Sequence, residues 1–273
     1  MPTNEAEMDT ITSLINMLHL EDLRNEVHPS LFDVNPGYDM LIIRLPVVEK
    51  RLRIDSIGFI LTGSGSYLYD KADERFRTLG DRFEGPHRII DPVLDRLIKA
   101  FSVYQDRIAD MEEALYEDRA DPSFMTEWLG LKRDILRIER VLARTAVVLK
   151  EVTEHYEPLE SFPVDHYADL HEHTDRILRS ASHHLSKLDY IYNFYNTRTN
   201  EKMNRLIYLL TVISAIFLPL NLVVGFFGMN TGGLPFAKEP SGTANAGVLM
   251  LVLFLATTAV LMLWHKKRVT PRD

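Results

Sequence analysis

Residues 206–227 read LIYLLTVISAIFLPLNLVVGFF, a run of 22 residues without a charged side chain. As an α-helix this run would extend about 33 Å, enough to cross a hydrocarbon core about 30 Å thick. A second uncharged run, residues 247–264, would extend about 27 Å, and residues 244–246 can lengthen it. Two such runs close together, each flanked by basic residues, are not typical of buried helices in soluble proteins. The sequence therefore predicts an integral membrane protein with two C-terminal spans.

The charges beside the two runs predict their orientation. Arg198, Lys202 and Arg205 precede the first run, and the tail at residues 265–273 is also basic. The connection between the runs has one lysine and one glutamate. Because positively charged flanks stay on the cytoplasmic side, both termini are expected in the cytoplasm and the connection outside.

The first span has a polar stripe along one face. Its members, spaced alternately three and four residues apart, are Asn204, Ile207, Thr211, Ser214, Leu218, Asn221 and Gly225. Polar groups are costly in hydrocarbon, so this stripe is expected to face protein or water. Two interpretations are about equally supported by the residues alone: a helix–helix contact, or the lining of a pore. One helix cannot enclose a pore, so the second interpretation requires a homo-oligomer.

The residues ahead of the first span predict a mostly helical α+β domain in the cytoplasm. Between residues 165 and 227 only Pro219 and Gly225 disfavour a helix, which predicts a single helix of 63 residues. Such a helix is too long for a compact domain and is expected to be a stalk that continues into the membrane. Residues 91–118 and 123–155 predict two more helices, packed as an antiparallel layer on the stalk.

The N-terminal part has a different pattern. Short apolar runs at residues 40–45 and 54–61, bounded by Pro46 and Gly63, predict a small α/β domain with about three strands. Residues 5–20 predict a helix. The predicted organisation of the chain is an α/β domain at 1–90, a helical layer and stalk at 91–205, spans at 206–227 and 247–264, an external loop at 228–246 and a basic tail at 265–273.

Composition and motifs exclude several functions. The chain has 31 Lys and Arg against 39 Asp and Glu, a net charge of −8, which argues against a nucleic-acid partner. The sequence has no phosphate-binding loop, no nucleophile elbow and no zinc-protease motif. It is therefore not expected to be an enzyme or to need a cofactor.

An acidic, histidine-containing segment lies at residues 151–175, with eight carboxylates, four histidines and no Lys or Arg. Asp169 and His173 lie four residues apart, as do His171 and Asp175, so each pair shares a helix face and has metal-binding groups. Asp169 and His173 are the candidate ligands of a cytoplasmic metal site. The alternative is a solvated acidic face. The adjacent His183 and His184 are expected on the surface of the stalk.

Residues 210–230 read LTVISAIFLPLNLVVGFFGMN and end in Gly228, Met229 and Asn230. This stretch resembles the CorA superfamily of divalent-cation transporters, whose Gly-Met-Asn signature ends the first of two C-terminal spans. Residues 28–33 (HPSLFD) and 38–46 (YDMLIIRLP) also resemble the N-terminal domain of that family.

The resemblance implies a funnel-shaped homopentamer that lies in membrane lipid, such as a bacterial inner membrane, and moves Mg²⁺ or Zn²⁺. By alignment on the signature, Asn204 lies at the cytoplasmic pore entrance, and Leu210 and Leu218 match apolar constrictions. Asn221 matches a polar ring of the pore. The signature residues match the outer selectivity region, where Asn230 would contact the metal ion through its hydration shell.

Two features differ from the magnesium-type members. The loop at 231–235, TGGLP, resembles the ZntB-like branch, so the transported cation remains Mg²⁺ or Zn²⁺. The N-terminal domain is expected to be short for the family. The alternative function is therefore a membrane-anchored scaffold or sensor of the same fold with little transport activity.

Overall fold

The computed structural model describes residues 11–49, 51–119, 122–229 and 240–269. The chain divides into two compact units, Met1–Asn193 and Phe194–Asp273. The helices of eight or more residues are α1 (Met17–Arg24), α2 (Glu84–Tyr116), α3 (Phe124–Tyr156), α4 (Val164–Phe227) and α5 (Gly242–Val269). The strands are β1 (Leu31–Asn35), β2 (Tyr38–Val48), β3 (Leu52–Leu61), β4 (Ser66–Asp70) and β5 (Arg75–Gly80). The predicted class, a mostly helical α+β protein with a long helix and two C-terminal apolar helices, is confirmed.

The five strands form one antiparallel sheet in the order β1-β2-β3-β4-β5. The expectation of three strands is therefore wrong, because strands β1, β4 and β5 have only five or six residues each and are too short to give a clear alternating pattern. Pro46 does not end its strand, since β2 continues to Val48. Strand β1 pairs with β2 only from Tyr38 to Ile42. Pro46 therefore lies where β2 has β3 alone as a neighbour, and a missing N–H is tolerated there.

Strand β2 lies at the centre of the first unit. Met40 and Ile42 face a core cluster that includes Leu23 of α1 and Tyr67 of β4. Helices α2 and α3 also contact β2. Most of β2 is consequently buried on both faces, which explains its continuous apolar run in the sequence.

The predicted helix over residues 5–20 is only partly correct. Residues 1–10 lie outside the described part of the chain, and the helical turn at residues 11–14 stops at Ile15. The side chain of Asn16 then accepts the backbone N–H of Leu18 at 3.0 Å and starts α1. Asparagine favours this capping position over a helix interior, so it divides the predicted helix.

Helix α2 begins at Glu84, seven residues before the predicted start at residue 91. Glycine and proline usually disfavour a helix, so Gly85 and Pro86 suggest a later start. Both lie in the first turn of α2, however, where proline is tolerated. Oδ1 of Asp81 accepts the backbone N–H groups of Phe83 and Glu84, each at 2.9 Å. This cap fixes the start of the helix.

Helices α2 and α4 run side by side in the same direction, with α3 antiparallel to both. Early contacts join Glu84 to His166, and later ones join Glu112 to Lys187. At the start of α3, Nε1 of Trp128 donates to the carbonyl oxygen of Leu188 at 2.8 Å. The expected antiparallel layer on the long helix is therefore present.

Helix α4 has 64 residues and a length of about 96 Å. Its residues 164–193 belong to the first unit and its residues 194–227 to the second. The predicted single helix over residues 165–227 is thus confirmed, with Pro219 inside it.

Candidate ion pathway and metal centre

Two helices are long and apolar enough to cross a membrane. They are the C-terminal part of α4 and the first 22 residues of α5, Gly242–Leu263. In the most apolar 18-residue stretch of α4, only 6% is buried within the chain, and in that of α5 the buried share is 0%. A core helix of a soluble protein would be mostly buried, so these helices lack the protein surroundings that such a core provides.

The polar stripe of the first span is exposed along its whole length. Every member, from Asn204 to Gly225, is solvent-accessible, as is Leu210 beside the stripe. The exposed fraction reaches 72% at Leu218. Within the described part of the chain, no segment therefore buries the polar groups of this face.

A different face of the same span is partly buried. Its residues are Val212, Ala215, Ile216, Pro219, Leu220, Val223 and Phe227. At about 100° per residue, the centre of this face lies about 140° from the centre of the polar stripe. Helix α5 has a similar partly buried row that includes Ala246, Met250, Leu253, Thr257 and Leu261. We assign these two rows to the contact between the spans within one chain.

The hydroxyl of Thr211 is satisfied within its own helix, since Oγ1 donates to the carbonyl oxygen of Ile207 at 2.8 Å. The oxygen lone pairs of that hydroxyl still face outward. The Thr211 hydroxyl therefore leaves no unsatisfied donor on this exposed face, and its oxygen can still accept a hydrogen bond.

The signature follows directly after α4. The N–H of Gly228 donates to the carbonyl oxygen of Val224 at 2.8 Å, and Met229 is 48% exposed. Asn230 and the loop at residues 231–235 lie outside the described residues.

The first unit brings the predicted metal ligands Asp169 and His173 together with residues of α2. Nε2 of His173 lies 3.6 Å from Oδ1 of Asp169. Its Nδ1 lies 3.6 Å from Oδ1 of Asp91 and 3.7 Å from Oδ1 of Asp95. Ligand atoms of Asp91, Asp169 and His173 all lie within 4.8 Å of one another. We call Asp91, Asp95, Asp169 and His173 the carboxylate cluster.

The imidazole of His173 is held between these carboxylates, with 17% of its side chain exposed. Its Nδ1 is buried and has no hydrogen-bond partner. A buried polar atom without a hydrogen bond within the protein is unusual in native structures, so this nitrogen is a candidate ligand atom. The oxygen-rich donor set suits a hard divalent cation, and the imidazole also admits a transition metal.

Sequence reasoning missed Asp91 and Asp95. They lie four residues apart on one face of α2, a spacing that was visible in the sequence. Their proximity to α4 depends on the parallel packing of two helices that are far apart in the chain. The alternative pair, His171 and Asp175, lies 3.6 Å apart and is partly exposed. It belongs to neither of the three-ligand groups found in the described part of the chain.

His184 does not lie on the surface as expected. It is 4% exposed, and its ring stacks on Phe101 with centroids 5.7 Å apart. Burial lowers its pKa, as do the nearby His183 and Lys187. His183 is exposed, so the prediction is correct for one of the two histidines.

Known proteins share this architecture. The model of the family "CorA-like Mg2+ transporter protein" matches residues 67–268. A cobalt/magnesium transport protein CorA from Thermotoga maritima is 22% identical over 271 residues, covering 93% of this chain and 76% of that protein. A zinc transport protein ZntB from Vibrio parahaemolyticus is also 22% identical, covering 85% of this chain and 76% of that protein.

The CorA magnesium transporter structure from Methanocaldococcus jannaschii superposes with a TM-score of 0.73 at 17% identity. The match covers 92% of this chain and 84% of that one. This likeness shows the fold.

The family match, together with the two helices long and apolar enough to cross a membrane, defines an integral membrane transporter. The chain belongs to the CorA-like family of Mg²⁺ transporter proteins. It is accordingly a divalent metal cation transporter and not an enzyme.

Proposed function

We propose that the chain forms a homopentamer whose pore is lined by the polar stripe of the first span. The exposure of this stripe supports the proposal most directly. If the stripe were a contact within the chain, it would coincide with the partly buried face of the span. The two faces instead point in different directions, so the polar groups are free to face an axis shared by several copies.

The proposed pathway passes Asn204, Leu210, Leu218 and Asn221 and ends at Gly228, Met229 and Asn230. Ile207, Thr211, Ser214 and Gly225 complete the lining. No residue from 206 to 229 is charged. Neutral amides and hydroxyls can hydrogen-bond the water shell of a divalent cation without binding it too tightly to release it. The membrane potential supplies about 2.3 kcal/mol per charge per 100 mV, and twice that for a divalent ion.

Three consecutive positions test the pore directly. The chain contains no cysteine, so each single-cysteine variant carries one reactive thiol. Ser214 lies on the polar stripe, Ala215 on the partly buried face, and Ile213 on a third, exposed face. In liposomes, we expect a hydrophilic thiol reagent to modify Ser214→Cys and reduce divalent-cation flux.

Ile213→Cys and Ala215→Cys are the matched controls and should not react, because lipid or protein covers them. Protection of Ser214→Cys in an actively transporting protein would contradict the pore lining. Native mass spectrometry of the detergent-solubilised protein should show five copies, and any other number would contradict the pentamer.

The transported cation is tested by comparing Mg²⁺ with Zn²⁺ flux in the same liposomes. We propose that the ion passes the signature hydrated, so Asn230→Ala should abolish the flux of the preferred ion. If a correctly assembled oligomer moves neither ion, the scaffold or sensor function replaces transport.

We also propose that both termini face the cytoplasm of a bacterial cell whose inner membrane holds the protein. The basic residues Arg198, Lys202 and Arg205 support this orientation. A membrane-impermeant thiol reagent added to intact cells should label Ser241→Cys, which lies in the loop between the spans. It should leave Ser186→Cys, in the first unit, unlabelled. Labelling of Ser186→Cys but not of Ser241→Cys would contradict the proposed orientation.

The carboxylate cluster is proposed as a cytoplasmic divalent-cation site. The position of His173 supports it, because its buried Nδ1 lies near Asp91 and Asp95 and its Nε2 lies near Asp169. Binding of Mg²⁺ or Zn²⁺ should raise the thermal unfolding midpoint of the wild type, and Asp169→Ala and His173→Ala should diminish that increase. His171→Ala is the control on the same helix. An unchanged metal titration in both variants would exclude the site.

A further inference from the structure

We propose that Glu84, His87 and His166 form a second binding site, specific for transition-metal dications of the Zn²⁺ type. This imidazole cluster lies where the first turns of α2 and α4 meet. Carboxylate oxygens of Glu84 and ring nitrogens of both histidines provide one ligand atom each, all within 4.8 Å of one another. The site belongs to the first unit, and its test measures binding, so it does not depend on the pore.

The imidazole rings of His87 and His166 are stacked on each other. Their ring centroids are 4.7 Å apart, with 28° between the ring planes. Nδ1 of His166 lies 2.7 Å from Oε1 of Glu84. Tetrahedral zinc with bonds of about 2.0–2.2 Å places its ligand atoms about 3.4 Å apart. The three donors therefore have to move closer, by side-chain rotation from the stacked arrangement, to surround one ion.

The backbone beneath the cluster is held firmly. Tyr167, next to His166, is fully buried, and its hydroxyl donates to the carbonyl oxygen of Phe83 at 3.1 Å. Phe83 directly precedes Glu84, and its own N–H is bound by Asp81. One hydrogen bond thus joins the start of α4 to the start of α2. A site whose ligands come from two connected helix ends needs little reorganisation to bind.

The donor types determine which ion the cluster prefers. Two imidazoles and one carboxylate form the ligand set of many catalytic zinc sites, with water in the fourth position. Mg²⁺ prefers oxygen ligands and retains most of its water, so two imidazoles give it little stabilisation. The partial exposure of Glu84, His87 and His166 leaves room for that water.

This imidazole cluster is distinct from the carboxylate cluster. Glu84 and Asp91 lie seven residues apart on α2, about 10 Å along the helix, and His166 and His173 are also seven apart on α4. The same pair of parallel helices therefore holds one nitrogen-rich group and one oxygen-rich group, about two helical turns apart. Their chemistry predicts that Zn²⁺ occupies the first even when excess Mg²⁺ occupies the second.

The test is Zn²⁺ titration of the full-length protein in detergent, with Mg²⁺ in large excess and His173→Asn as the background. In this background one Zn²⁺ per chain should bind. His87→Gln and His166→Gln should each weaken that binding at least about tenfold. His171→Gln, a histidine on the same helix outside both clusters, should leave it unchanged. Equal Zn²⁺ affinity with and without His87 and His166 would overturn the proposal.

A spectroscopic measurement keeps the proposal testable if a variant fails to fold. X-ray absorption of Zn²⁺ bound to the His173→Asn protein should show two imidazole nitrogens at about 2.0–2.1 Å. A spectrum with only oxygen ligands, or no stoichiometric Zn²⁺ at all, would also overturn it.

Discussion

The hydroxyl of Tyr156 donates a 2.5 Å hydrogen bond to Oδ2 of Asp39, although the two residues are 117 positions apart in the chain. Both residues are buried, with 1% and 5% of their surfaces exposed. Arg82 completes the group, with Nη2 2.8 Å from the same carboxylate oxygen. Burial, and next the bond to Asp39, raise the pKa of Tyr156, so its hydroxyl remains a donor. The pair connects the end of α3 to the start of β2.

Removing this hydroxyl should destabilise the first unit. In Tyr156→Phe the buried carboxylate of Asp39 loses one of its three donors, the others being Arg82 and the backbone N–H of Asn35, at a cost of about 1–3 kcal/mol. The thermal unfolding midpoint of the full-length protein in detergent should fall clearly. Tyr190→Phe is the control, because that tyrosine is 48% exposed. Equal effects of the two changes would show that the buried hydrogen bond adds nothing special.

The cap at Asp81 predicts a pH-dependent contribution to stability. The backbone N–H groups of Glu84 and Phe83 lower the pKa of Asp81 in the folded protein. Its stabilising contribution is therefore present above the ordinary aspartate pKa of about 3.9 and is lost as the pH falls through the lower folded value. Asp81→Ala should cost about 0.5–2 kcal/mol at neutral pH.

That cost should shrink as the unfolding midpoint is measured at progressively lower pH. Asp81→Asn keeps the acceptor oxygen and should recover most of the stability at neutral pH. A loss that stays constant down to pH 3 would contradict the role of the ionised carboxylate.

The buried His184 predicts sensitivity to mild acid. Its folded pKa lies below the ordinary value of 6.5, so the unfolded chain takes up a proton first as the pH falls. The folded state should therefore lose stability from about pH 6.5 down through the folded pKa. In thermal unfolding between pH 7 and pH 5, His184→Phe should lose less stability than the wild type. His183→Gln, which changes the exposed neighbour, should follow the wild type.

Two glycines in helices should respond oppositely to alanine. A Cβ at Gly85 would lie 2.2 Å from Oγ of Ser66 and 2.6 Å from Cβ of Leu79. Gly85→Ala should therefore displace α2 from the sheet and lower the unfolding midpoint. A Cβ at Gly130, within α3, would meet nothing within 4 Å. Gly130→Ala should add about 0.5–1 kcal/mol of stability by favouring the helix, and a loss at both positions would contradict this account.

Local pattern explains which elements were predictable. Apolar residues recur without interruption over the long helix, the helix at residues 123–155 and the two spans. This local pattern does not depend on how the helices pack, so it can be recognised in the sequence. The element boundaries near Asn16, Pro46 and Pro86 were predicted wrongly for the opposite reason. Asn16 caps a helix, Pro46 lies in a strand segment with one neighbouring strand, and Pro86 lies in the first turn of a helix. A local sequence pattern does not specify these positions.

The sequence by itself determined the two spans, the polar stripe and the pair Asp169 and His173, because each depends only on residues a few turns apart in one helix. Only the tertiary structure decided what lies opposite them. It placed Asp91 and Asp95 beside His173, stacked His87 on His166 and buried His184 against Phe101. These relationships depend on how α2, α3 and α4 pack together, and that packing results from the summed burial of many side chains far apart in the chain.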